Sequence, residues 1–101
     1  MKKNMICIPR VSLHIKKREI YEVFEKVNLG VIDSIELRHN TTNDTNLCII
    51  DIRKYNNNTR TRKIKNDLEE GGHFTIVYRE RAVPILWKCY KYTNNYIKPN
   101  M

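Results

Sequence analysis

Between two polar clusters, residues 40–46 and Asn56-Asn57-Asn58, the chain carries Leu47-Cys48-Ile49-Ile50-Asp51-Ile52, in which five of six positions are apolar. A continuous apolar run this short, rich in β-branched Ile and bounded by turn formers, predicts a strand buried on both faces. A helix there would need caps and a charged face, and the run has neither. It is read as a central strand of a small sheet.

The rest of the chain falls into elements around that strand. Residues 5–11 predict a first strand, and Pro9, which has no N–H to give, marks its end or an unpaired side. Residues 12–17 connect it to a helix that Ser12 or His14 helps to start. Over 16–28 the apolar residues Ile20, Val23, Phe24 and Val27 recur at i, i+3, i+4 and i+7, with Glu22 and Lys26 as an outward i, i+4 pair. Leu29-Gly30 ends that helix, with Gly30 expected in the left-handed conformation. Residues 31–39 alternate, Ile35 and Leu37 on one face and Ser34, Glu36 and Arg38 on the other, which predicts a half-exposed strand.

A second helix is predicted over 59–70, capped by Asn58 or Thr59, with a narrow stripe of Ile64 and Leu68 and a stop at Gly71-Gly72. Its charges oppose the helix dipole. Arg60, Arg62, Lys63 and Lys65 crowd the positive end and Glu69 and Glu70 the negative end, each costing about 0.3–1 kcal/mol at low salt. Residues 73–79 predict a fourth strand, with Phe74, Ile76 and Tyr78 opposite Thr75 and Val77. After a turn over 79–83, Pro84 opens a fifth extended segment through residue 92.

The order β-α-β-β-α-β plus one strand places the chain in the α+β class. Two split β-α-β units give a ferredoxin-like sandwich: a four-stranded antiparallel sheet, two helices on one face, and an extra C-terminal strand. With 101 residues there is room for one core, so residues 1–92 are read as a single domain and 93–101 as a flexible tail.

Composition narrows the function. A net charge of +8 favours a polyanionic partner. Cys7, Cys48 and Cys89 sit singly in apolar segments, which points to buried free thiols and a reducing, intracellular compartment rather than a disulfide framework. No apolar run reaches the roughly 18 residues of a membrane span. His14, His39 and His73 are not spaced as metal ligands with any Cys. No phosphate loop, nucleophile motif or carboxylate pair appears, so a non-enzyme without metal or cofactor is expected.

With this order in this length, the chain resembles an RNA recognition motif over residues 5–79. Ile6-Cys7-Ile8-Pro9-Arg10-Val11 stands at the family's first-strand motif and residues 45–52 at its third-strand motif. The ending, with Pro84 and Trp87-Lys88, is similar to a group of small RRM-like proteins of large nucleocytoplasmic DNA viruses. The Asn-, Lys- and Ile-heavy composition is in keeping with an AT-rich genome. The resemblance implies an RNA-binding protein of the host cytoplasm or the virion. Where the family stacks bases on aromatic rings, this chain has Cys7, Leu47 and Ile49.

Two readings of the surface follow. In the first, nucleic acid, RNA rather than DNA, binds with limited sequence specificity on basic clusters. Arg10, Lys16 and Lys17 belong to one cluster, and Arg53, Lys54, Arg60, Arg62 and Lys63 to the other. Trp87, Lys88 and Tyr90 supply rings and charge in place of the missing stack; the same aromatics would also serve simply to seal the sheet. In the second, the aliphatic sheet face of Cys7, Leu47, Ile49 and Val77 docks a protein partner or a second copy.

Overall fold

The computed structural model describes residues 4–79 and 85–92. Seven elements follow in order: β1 (Asn4–Val11), α1 (Lys17–Val27), β2 (Gly30–Asn40), β3 (Thr45–Tyr55), α2 (Thr59–Glu69), β4 (His73–Arg79) and β5 (Ile85–Lys91). The fold is α+β, one five-stranded antiparallel sheet with two helices. The turn expected over 79–83, from residue 80 on, the Pro84 expected to open the fifth strand and the tail expected over 93–101 lie outside the described residues.

The sheet order is β2-β3-β1-β5-β4. β1 is therefore the middle strand, with β3 beside it, and every neighbouring pair is antiparallel. In a ferredoxin-like sheet the fourth strand lies beside the first and runs against it. Here β5 takes that position, with Ile6 opposite Lys91 and Cys7 opposite Tyr90. The additional strand, by its place in the sheet, is β4 at the edge.

The alternation along each strand sorts the two faces as the sequence predicts. Ile6 and Ile8 of β1, Cys48, Ile50 and Ile52 of β3, Ile76 of β4, and Trp87 and Cys89 of β5 join Ile20 and Phe24 of α1 and Leu68 of α2 in one core. Leu47 and Ile49 of β3 are buried on the opposite face with Cys7. β3 is thus covered on both sides. The β1–β3 register shifts between Ile8 and Val11, a bulge at Pro9 where a missing donor costs no ladder bond.

The helix ends differ in detail from the expectation. α1 is capped by Lys16, whose N–H donates to Glu19 Oε1 at 3.2 Å; neither Ser12 nor His14 caps it. At its other end Asn28, not Gly30, is left-handed, at φ 59° and ψ 52°, a conformation that Asn tolerates because its side chain is short and polar. Gly30 is needed for a different reason. A Cβ there would lie 2.1 Å from the Lys54 carbonyl oxygen, so only hydrogen fits between the start of β2 and the end of β3.

α2 begins as predicted, with Asn58 Oδ1 accepting from the Thr61 N–H at 2.8 Å. Its buried stripe is wider than Ile64 and Leu68. Thr61 extends it by one turn and is fully buried, and its hydroxyl has no hydrogen-bond partner among the described residues. A buried hydroxyl left unpaired costs about 1–3 kcal/mol.

Two stability predictions follow from these contacts. Gly30→Ala should destabilise by about 2–3 kcal/mol through overpacking, and Thr61→Val should stabilise by about 1 kcal/mol; urea denaturation of each variant checks both.

Candidate nucleic-acid interface

β1 and β3 run in opposite directions, so the two basic clusters lie at opposite ends of the sheet. Arg10 is exposed beside the β1 bulge, and Lys16 and Lys17 open α1 next to it. At that end Lys17, Arg18 and Tyr21 wall a groove of about 390 Å³ against residues 32–35 of β2. Arg53, Lys54, Arg60, Arg62 and Lys63 lie at the other end, where β3 leads into α2. The structure does not bring the two clusters together.

The second cluster is the denser one, and Lys65 belongs to it. Arg53 pairs with Asp33 at 2.8 Å and Lys63 with Asp67 at 3.4 Å. Three other cations meet neutral groups. Arg62 Nη1 donates to Asn57 Oδ1 at 2.8 Å, and Lys65 Nζ stands 5.0 Å from the centre of the Tyr55 ring. Arg60 Nη1 donates at 2.6 Å to the carbonyl of Val27, the last residue of α1. That contact accounts for one cation at the wrong end of α2: Arg60 closes the negative end of α1. Around it Asn56 Nδ2 donates to the Asn28 carbonyl at 2.8 Å. Lys54 and Arg62 are exposed and meet no carboxylate among the described residues.

On the helix-free face the position of each ring follows from strand parity. Lys88, Tyr90 and Tyr92 point to that face and Trp87 and Cys89 to the helices. Trp87 is therefore not available as a stacking platform. It is only 4% exposed, and its ring stacks on Tyr78 at 4.5 Å with 15° between planes. The Tyr78 hydroxyl in turn donates to Glu19 Oε2 and ties β4 to the first turn of α1. Tyr90 and Tyr92 do lie on the helix-free face, where they pack with Met5 over Cys7, Leu47 and Ile49. His73 stands 5.4 Å from Tyr90, centre to centre, and the Tyr92 hydroxyl accepts from Arg38 Nη1 at 3.5 Å.

The aliphatic positions expected to dock a partner are thus three buried residues and one exposed one. Cys7, Leu47 and Ile49 lie in a small cluster of their own, while Val77 is on edge strand β4 and 51% exposed. Arg38 falls on this face by the alternation predicted for 31–39, and His73 by sharing the parity of Thr75 and Val77. That they meet Tyr92 and Tyr90 follows from the pairing of β5 with β4 and the reach of Tyr92 across to β2, which leave no local signal.

No protein-family model, curated protein sequence or solved structure matches the chain.

The chemistry on offer is charge and ring surface. No group of three or more His, Cys, Asp or Glu side chains is placed to hold a metal ion among the described residues, and no helix there is long and apolar enough to cross a membrane. Arg38 beside Glu36, at 2.6 Å, holds that carboxyl below its usual range. Burial pushes the thiol of Cys7 up to about 11 and that of Cys48 up to about 12, and it raises Cys89 as well. Tyr55 is likewise pushed up to about 12 by burial and, secondarily, by Glu69.

Folded thiols with raised pKa values keep their protons after unfolded thiols, at about 9, have lost theirs. The unfolded state then binds fewer protons, and stability falls as pH rises. The denaturation midpoint should drop between pH 9 and 11, and a C7A/C48A/C89A variant should lose most of that slope. Thiol reagent should label none of the three until denaturant is added.

Proposed function

We propose that the chain binds single-stranded nucleic acid through its phosphate backbone, with limited sequence preference, on the basic surface where β3 leads into α2. The observation that carries this reading is the charge balance there. Lys54, Arg60, Arg62, Lys63 and Lys65 outnumber the carboxylates near them, Asp67 paired with Lys63 and Glu69 close to Tyr55 and paired with Lys91. Arg60 is accounted for by its bond to the end of α1, but Arg62 and Lys63 also stand in the first turns of a helix whose dipole they oppose. Helical stability does not select that order, whereas an anion lying across the surface would be held by both the cations and the dipole.

Tyr92, Tyr90 and His73 on the helix-free face support the reading as a platform for unpaired bases, sequence-tolerant because every base has a π-face. They stand on β5 and β4 rather than on the first and third strands. The acids Glu36 and Asp51 share that face, so the phosphates are assigned to the α2 side, where positive charge is in excess. RNA and DNA single strands both satisfy this chemistry.

A fluorescence titration with labelled single-stranded RNA and DNA across a salt series tests the proposal. Binding should weaken with salt at a slope of about −0.7 per phosphate neutralised, and K54Q/R62Q/K65Q should flatten the slope by about 2. No binding at low salt, or a slope unmoved by the triple variant, would remove the basis for the reading.

A further inference from the structure

Among the described residues the edge strand β4 is lightly guarded. Natural sheets protect their edges with charges, proline or bulges. β2, at the opposite edge, has register shifts between Val31 and Ile32 and between Ile32 and Ser34, and carries Asp33, Glu36 and Arg38. β4 reads His73-Phe74-Thr75-Ile76-Val77-Tyr78 before Arg79, five β-formers after a His, with no Lys, Glu, Asp or Pro. Its register with β5 is continuous from His73 to Val77 and shifts only at the strand's end, between Val77 and Arg79. Val77 and its cross-strand partner Leu86 are 51% and 56% exposed.

Along this edge, on the helix side, lies a groove of about 450 Å³ lined by Val27, Arg60, Lys63, Ile64, Asp67 and residues 74–77. Its floor is apolar, and one wall is a charged stripe of α2. Arg60, Lys63 and Asp67 of α2 and Glu70 at its C-cap recur at i, i+3, i+7 and i+10, on one side of the helix. The stripe reads plus, plus, minus, minus. Within the chain Lys63 pairs with Asp67 in the weaker i, i+4 orientation, the base N-terminal to the acid. A stripe antisymmetric about its own centre is complementary to itself when a second copy runs antiparallel to it.

We infer that β4 is the interface of a two-fold dimer, in which the β4 strands of two copies pair antiparallel and their α2 helices lie side by side and antiparallel. One two-fold axis, perpendicular to the sheet near Ile76, produces both contacts. The strands join at the usual spacing of about 4.8 Å, giving a continuous ten-stranded sheet from two five-stranded ones. The same rotation sets Arg60 against Glu70 of the partner subunit and Lys63 against Asp67 of the partner subunit. It closes the two apolar grooves on each other. An isologous contact of this kind stops at two copies and leaves no free β4 edge. The dimer takes up Arg60 and Lys63, counted above with the phosphate-binding cations, and leaves Lys54, Arg62 and Lys65, which lie off this stripe and serve to test nucleic-acid binding.

Sedimentation equilibrium on the full chain, at micromolar to submillimolar concentration, tests the inference. The wild type should show twice the chain mass. K63E and D67K each place like charges across the axis and should weaken the dimer more than about tenfold. Mixed in equal amounts, the two variants should recover it as a heterodimer, because Glu meets Lys only between chains. V77K should dissociate the dimer without touching the ionic stripe, with its folding checked by circular dichroism. A chain-mass species at every concentration would overturn the inference. So would a dimer that survives both charge variants and V77K, or variants that fail to recover when mixed.

Discussion

The pairing of β1 with two neighbours, β3 on one side and β5 on the other, is the constraint on which the molecule depends. A middle strand with one partner would leave a row of backbone donors and acceptors unmet in the core. β5 meets them from the far end of the described chain: Cys7 opposes Tyr90, and the Tyr92 N–H reaches the Met5 carbonyl at 2.9 Å. That single register also sets which side chains of β5 face which way. Trp87 and Cys89 fall into the main core, and Tyr90 and Tyr92 close over Cys7, Leu47 and Ile49. The rings that seal the helix-free face and the tryptophan that fills the other are thus consequences of one strand's placement.

A second junction joins the two helices. The left-handed Asn28 ends α1, and the chain past β3 then folds against that end, Asn56 bonding to Asn28 and Arg60 to Val27. Gly30 permits it, since any side chain there would strike the Lys54 carbonyl. One result is that cations unfavourable for α2 are gathered where α1 presents its negative end. The surplus beyond Arg60 remains at the surface, and on that surplus the proposed affinity for phosphates rests.

Much of this was legible locally. The run 47–52 predicted a strand buried on both faces, and Leu47 and Ile49 on one side with Cys48, Ile50 and Ile52 on the other bear it out. The stripe of Ile20, Val23, Phe24 and Val27 predicted α1, and the alternation through Phe74, Ile76 and Tyr78 predicted β4. What could not be read depends on pairing between distant segments. Nothing local says that β5 lies beside β1 and displaces β4 to the edge, and so nothing local decided whether Trp87 or Tyr90 would be the buried ring. Thr61 was missed because a hydroxyl on a core stripe looks like a polar surface position. Gly30 was assigned to turn geometry when its constraint is a close approach from another strand, though Asn28 had the residue type for the left-handed position. The basic run was visible in the sequence, but its separation from Arg10, Lys16 and Lys17 follows only from the antiparallel course of β1 and β3.

The measurement that bears most directly on this account is native-state hydrogen exchange of the β5 amides and, above all, of Tyr92 just past the strand's end. If β5 completes the middle of the sheet, the Tyr92 amide and its neighbours in β5 should exchange only through global unfolding, with the same free energy as the β1 and β3 amides. Exchange of β5 at near-intrinsic rates, with β1 and β3 still protected, would show that the sheet stands without it and would contradict the account.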